Sequence, residues 1–166
     1  HGTVYHPQTA DAILATGGML DQLNVLRDEG LIRLIGFTSE ANNAAVYRFI
    51  QDGRFDTMQL AYNLLHQHPY DPTRPFGSLL EADKEQMGII TMRTLTSGLL
   101  QKWIQQVNPE NSFDYTPALL QFVLSNPLVD VALVGMRTPQ EVKANVAICE
   151  DLSGRLDVTE LHERYV

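Results

Sequence analysis

The 166 residues predict an α/β fold built on a parallel sheet. Three features carry this expectation. Apolar runs of strand length alternate with amphipathic stretches of helix length. The strand runs are nearly continuous in apolar residues, as in a sheet covered by helices. The units recur every roughly 25 to 40 residues, the repeat of a barrel built from βα units. About four units are present, half of an eight-stranded TIM-type barrel. A doubly wound sheet is the alternative, and the absence of a G-x-G-x-x-G after any strand counts against it.

The elements follow in order. Met19, Leu20, Leu23 and Leu26 recur at helical spacing, and Gly30 supplies a C-terminal stop. Residues 31–35 read as a buried strand closed by Gly36. Ala45, Val46, Phe49 and Ile50 mark a helix stopped by Gly53. Residues 55–61 form the second strand, with Met58, Leu60 and Tyr62 alternating against Gln59 and Ala61. A helix over 79–86 leads to a third strand over 88–92. Thr116 and Pro117 open a helix as N-cap and N1. Residues 129–134 form the fourth strand. Thr138 to Glu141 open a helix with a capping box, and Val142, Val146 and Ile148 or Cys149 form its inner face. A last helix covers 158–164. Residues 65–78 make a long polar loop containing Pro69, Pro72 and Pro75.

Composition excludes several partners. The chain is 44% hydrophobic and 19% charged, with a net charge of -8, so phosphate backbones and anionic lipid would be repelled. No apolar run approaches the roughly 18 residues of a membrane span. No secretory leader is visible, and Cys149 is the single cysteine, which suits a reducing, cytoplasmic setting. The length suggests one domain over 1–166. The chain opens at His1 rather than methionine, as expected of a processed or partial chain.

In a βα barrel the chemistry sits at the C-terminal ends of the strands. The first strand leads to Thr38, Ser39 and Glu40. The second carries Gln59 and leads to Tyr62 and Asn63. The third leads to Met92, Arg93 and Thr94, then Thr96, Ser97 and Gly98. The fourth leads to Gly135, Met136 and Arg137. Most of these groups are donors, which suits a ligand bearing an amide and phosphates. The loops after the last two strands, with the helix N-terminus at Pro139, are the usual phosphate cradle of this fold. The plainer reading is that residues after strands are polar because loops are wet. Gln59 stands apart, because an amide inside a barrel must find partners.

Four segments resemble aldo-keto reductases. Residues 32–39, Ile-Arg-Leu-Ile-Gly-Phe-Thr-Ser, are similar to the family's IRxIGVSN segment. Phe55 and Asp56 with Gln59, Tyr62 and Asn63 are similar to FDxxQxxYN. Residues 88–95 with Gly98, Leu99 and Leu100 are similar to GxxAMKPLxxGLL. Residues 134–141 with Asn145 are similar to PGxRxPEQxxEN near the family's C-terminus. The resemblance implies the C-terminal half of a barrel that transfers hydride between NAD(P)H and a carbonyl. It implies that Thr38, Ser39 and Gln59 hold the nicotinamide carboxamide, with Ser39 replacing an asparagine. Met92 would pack on the nicotinamide ring, with Arg93 beside it in the cofactor set. Thr96, Ser97 and Gly98 would line the pyrophosphate, and Gly135, Arg137, Glu141 and Asn145 the adenosine end. A carboxylate at Glu141 favours NAD, Arg137 favours NADP, and a capping role for Glu141 removes the argument; the dinucleotide stays undecided.

The resemblance also implies a tyrosine, lysine and aspartate from the first strands of the barrel, which this chain does not contain. His1 and Gly2 match the family's histidine, which orients the carbonyl. Tyr5, Tyr62, Tyr70 and Lys84 match no catalytic position. His66 and His68 read as solvated loop histidines rather than metal ligands, Asp71 and Arg74 as surface residues, and Trp103 as a loop anchor. Two open sheet edges call for a partner, either an N-terminal half or a second copy. A nucleotide-binding module without turnover is the alternative function.

Overall fold

The computed structural model describes residues 1–71 and 76–165; Pro72, Arg74 and Pro75 of the long loop lie outside the described residues. The strands are β1 (Gly36–Ser39), β2 (Thr57–Ala61), β3 (Gly88–Met92) and β4 (Val131–Ala132). The helices are α1 (Pro7–Leu14), α2 (Met19–Asp28), α3 (Ala44–Gln51), α4 (Ser78–Lys84), α5 (Leu99–Val107), α6 (Thr116–Leu124), α7 (Pro139–Glu150) and α8 (Val158–Tyr165). The sheet order is β1-β2-β3-β4 and every pairing is parallel, as expected of a half barrel.

Period-two alternation splits the sheet into two faces. Phe37, Met58, Leu60 and Ile89 turn toward the helices and are buried with Val46, Phe49, Ile50, Leu79 and Ala82. Phe37, Phe49 and Phe55 pack edge to face or tilted, with centroids 5.1 to 5.5 Å apart. The other face carries in-register rows, Gly36–Thr57–Gly88 and then Thr38–Gln59–Ile90–Val131. This face has no helix layer, and Val131 is exposed. It corresponds to the interior of a barrel.

The strands start and stop where backbone partners allow. Residues 31–35 are not a strand, because Leu31 N and Ile32 N still bond Leu26 O at the end of α2 (3.0 and 3.4 Å). Leu31 and Leu34 are consequently exposed. Gly36 opens β1 rather than closing a strand. Thr57 of β2 crosses so closely that a Cβ at position 36 would lie 2.1 Å from Thr57 Oγ1. Strand β2 is shorter than its apolar run, since Phe55 belongs to the aromatic core. Strand β4 is only two residues long, although Asp130 N and Leu133 N extend its pairing to β3 by one bond at each end. It is the sheet edge, and nothing among the described residues pairs its far side.

Two aspartates clamp the strand starts. Asp56, just before β2, accepts from Ile35 N at 2.7 Å through Oδ2. Asp130, just before β4, accepts from Ile89 N at 2.7 Å in the same way. Each carboxylate thus ties the base of one strand to the base of its neighbour.

The helices also depart from expectation in places. Helices α1 and α5 have no counterpart in the sequence reading. Helix α4 stops at Lys84, two residues early, and Gln86 adopts φ +56°. Thr116 lies inside α6 rather than capping it; Asp114 Oδ1 takes the Thr116 N–H at 2.9 Å instead. The expected inner face of α7 is exposed at Val142, Val146 and Cys149, and Asn145 is its one buried residue. The surface those valines would cover lies beyond the β4 edge. Helix α7 is fastened at its other end. Gln121 Nε2 donates to Ile148 O and Asp151 O at 3.0 Å, and Arg155 Nη2 donates to Cys149 O at 2.8 Å. Helix α5 buries no residue, and Leu99, Trp103 and Val107 are exposed along it, so Trp103 anchors no loop.

Replacing Asp130 by alanine leaves Ile89 N without its acceptor at a half-buried site. The expected cost is about 1–3 kcal/mol in urea unfolding. An unchanged midpoint would remove the clamp from the account of the sheet.

Candidate functional site at the C-terminal rim

The rim is assembled by four chain segments. Residues 1–3 run beside β1 in the same direction, with Gly2 N donating to Thr38 O (3.4 Å) and Glu40 N to Thr3 O (2.8 Å). The turn after β3 carries Arg93, Thr96 and Ser97 at φ between +54° and +58°, and Gly98 at +76°. Left-handed φ at three non-glycine residues is costly and needs a surrounding that over-determines it. Asn63 supplies part of that. Its Nδ2 donates to Arg93 O at 2.9 Å, while its Oδ1 accepts from Leu65 N and His66 N. Thr96 N also donates to Arg93 O at 2.7 Å. Residues 133–137 after β4 complete the rim.

These segments enclose an open cleft of about 630 Å³. His1, Thr38, Met92, Arg93, Ser97, Gly98, Gly135 and Arg137 all line it. The remaining site candidates stand behind or beside it. Ser39 faces the helix side, fully buried, and its hydroxyl donates to Ala41 O at 2.8 Å. Gln59 shares the Thr38 row, and its Nε2 lies 3.4 Å from Met92 Sδ, so one potential ligand contact rests on another. Thr96 is buried, and its hydroxyl accepts from Leu100 N at 3.2 Å, which ties the turn to the first turn of α5. Asn145 is buried on α7.

Glu141 is occupied. It closes a capping box with Thr138, accepting from Thr138 N at 3.1 Å and also from Arg137 N. Its carboxylate therefore orders the loop that presents Arg137. The Arg137 guanidinium has no carboxylate partner among the described residues, whereas Arg93 is paired with Glu40 and bonded to Ser97 Oγ at 3.1 Å.

Among the described residues no tyrosine or lysine lines this cleft. Tyr62 turns to the helix side, stacked on Phe122, and burial pushes its pKa up to about 12. Tyr70 packs edge-on to Tyr62 and to His162 of α8, so the C-terminal helix docks on the outer layer and not over the cleft. Lys84 pairs with Glu81 at the surface. His68 is held below its ordinary value by burial first and then by His66. Among the described residues no three His, Cys, Asp or Glu side chains gather as metal ligands. No described helix is long and apolar enough to cross a membrane.

Two contributors were missed as such in the sequence. Glu40 and Asn63 both stand at strand ends, but their partners lie 53 and 30 residues away. Nothing local signals those bonds.

No protein-family model and no curated protein matches the chain. Among solved structures it is similar to the aldo-keto reductase AKR11C1 from Bacillus halodurans, in its holo form. The TM-score is 0.68 at 15% sequence identity, over 89% of this chain and 55% of that one. The chain therefore spans little more than half the length of that enzyme. The likeness is one of fold: an α/β half barrel in the arrangement of an aldo-keto reductase.

Proposed function

We propose that this chain, as one domain, is the C-terminal, cofactor-binding portion of an aldo-keto reductase-like oxidoreductase. The intact enzyme would transfer hydride between NAD(P)H and an aldehyde or ketone. The observation that carries this reading is the charge of the cleft. In a chain of net charge -8, the rim cleft is lined by two arginines, Arg93 and Arg137, against one carboxylate, Glu40. Cations gathered in a cleft of an acidic protein focus the field on an anionic ligand.

The residues present fit a nicotinamide dinucleotide. Thr38 offers a hydroxyl to the carboxamide, with Gln59 on the same row, and Met92 offers a thioether to the ring face. Arg93, Ser97 and Gly98 would hold the pyrophosphate, with Thr96 tying their turn to α5, while Ser39 braces the backbone after β1. Gly135 and Arg137 receive the adenosine end, supported by Glu141 and Asn145. The bound cofactor would supply the hydride. His1, at the edge of the cleft, would orient the carbonyl. The acid tyrosine and the lysine and aspartate that tune it would come from an N-terminal half seated against β1 and β4, where Leu31, Leu34, Val131 and Leu133 are exposed. A second copy of the chain is the other candidate partner. A reducing, cytoplasmic setting fits such an enzyme. The reading as a binding module without turnover is favoured by one observation: Tyr5, Tyr62, Tyr70 and Lys84 all lie outside the cleft.

Calorimetry of the chain with NADH and NADPH tests the site. Binding is expected, and Arg137→Ala should weaken it by about 10-fold or more, the loss of a charge-assisted contact. No heat up to millimolar cofactor would overturn the assignment. The cap assignment has its own test. Thr138→Ala should cost about 0.5–2 kcal/mol of stability, and Glu141→Gln, which keeps the capping box but removes the charge, should leave the ratio of NADH to NADPH affinity unchanged. A changed ratio would return Glu141 to the binding surface. Size-exclusion chromatography should show the isolated chain associating through its open edges; a clean monomer contradicts that.

A further inference from the structure

The pair between Glu40 and Arg93 occupies a special place. Glu40 follows β1, Arg93 follows β3, and β2 lies between them, so the pair spans the end of β2 across the rim. Both residues line the main cleft, and both also line a neighbouring cavity of about 260 Å³ with Asn63, His66, Thr96 and Ser97. The two cavities share the ion pair and Ser97. The other ion pairs among the described residues involve no residue that lines the cleft.

We propose that Glu40 is the resident counterion of the cleft, competing with an anionic ligand for Arg93 and thereby selecting for diphosphates. The inference rests on the reading of the cleft as a site for a diphosphate-bearing ligand. The Arg93 backbone is held at the rim through Asn63 and Thr96, and its guanidinium is bonded to Ser97 Oγ as well as paired with Glu40. Glu40 is likewise anchored through its own N–H to Thr3 O. Their side chains are 43% and 37% exposed, and an ion pair that open to water is readily exchanged. A single phosphate group that takes the place of the carboxylate trades one anion for another. A diphosphate carries more negative charge into a cleft whose Arg137 guanidinium has no ion-pair partner among the described residues, so it displaces Glu40 the more readily.

The plainer role for Glu40 is to order the turn after β3, and the two roles separate experimentally. Affinities for inorganic pyrophosphate and orthophosphate are measured by calorimetry on the 166-residue chain at low ionic strength, where such effects are least screened. Glu40→Gln keeps hydrogen-bonding capacity without the charge. It should tighten pyrophosphate by about three- to fivefold, whereas Glu40→Asp should bind like the native chain. In an Arg93→Gln background the gain from Glu40→Gln should vanish. Orthophosphate should bind more weakly than pyrophosphate throughout. Unchanged or weakened pyrophosphate binding in Glu40→Gln overturns the counterion role, as does a gain that persists without Arg93. If pyrophosphate binds neither the native chain nor Glu40→Gln, or binds independently of both Arg93 and Arg137, the anion-binding reading of the cleft falls as well. Loss of affinity in Arg93→Gln and Arg137→Ala with no gain in Glu40→Gln sinks only the counterion.

Discussion

All four strands run in one direction, and the rest of the molecule follows from that constraint. Parallel neighbours cannot be joined by a hairpin, so each strand must be followed by a segment that crosses back over the sheet. The crossings cover one face with α3, α4 and α6 and leave the other bare. Period-two alternation then assigns every strand residue to one of two environments: Phe37, Met58, Leu60 and Ile89 to the core, and Thr38, Gln59, Ile90 and Val131 to the open face. The same rule brings the four C-terminal ends to a single rim. Residues far apart in sequence, such as Thr38, Met92 and Gly135, meet there because the strands are co-directional.

The base of the sheet and the rim are held by different chemistry. At the base, Asp56 and Asp130 each accept a backbone N–H from the preceding strand, and Gly36 lets Thr57 come close. Those contacts set the register. At the rim, side-chain amides and hydroxyls do the tethering: Asn63 to Arg93, Thr96 to Leu100, and Glu141 to the backbone of Arg137 and Thr138. The result is that guanidinium groups are presented by well-anchored backbone while the groups that anchor them are kept out of the cleft. Thr96 and Glu141 belong to this supporting set by geometry, Ser39 and Asn145 are buried outside the cleft lining, and Thr38, Met92, Arg93, Ser97, Gly98 and Arg137 form the lining.

The charge of the chain and the charge of the cleft have opposite signs. Among the described residues Arg27, Arg48, Arg54, Lys84 and Arg164 are held in ion pairs away from the cleft, as with Arg48 and Asp11 or Arg54 with Asp21 and Asp52. At the cleft the Arg93 guanidinium is paired with Glu40, whereas the Arg137 guanidinium has no carboxylate partner among the described residues and Glu141 bonds only its backbone N–H.

The alternation of apolar runs with helical stripes determined the α/β class, the parallel sheet and the strand at 88–92, since those depend on local spacing alone. Local chemistry also determined the capping box at Thr138 and Glu141, whose two partners are three residues apart. Strand limits were decided by tertiary structure. Leu31 and Leu34 are as apolar as any core residue, but the end of α2 holds their backbone away from the sheet and they lie exposed at its open side. Val142 and Val146 carry the spacing of an inner face, and burial there needs a surface beyond β4 that the described residues do not contain. The direction of Ser39, the pairing of Arg93 with Glu40 and the orientation of Tyr62 were likewise set by contacts between segments 30 or more residues apart. Spacing along the chain specifies which face a residue can take; only the packed sheet specifies what waits on that face.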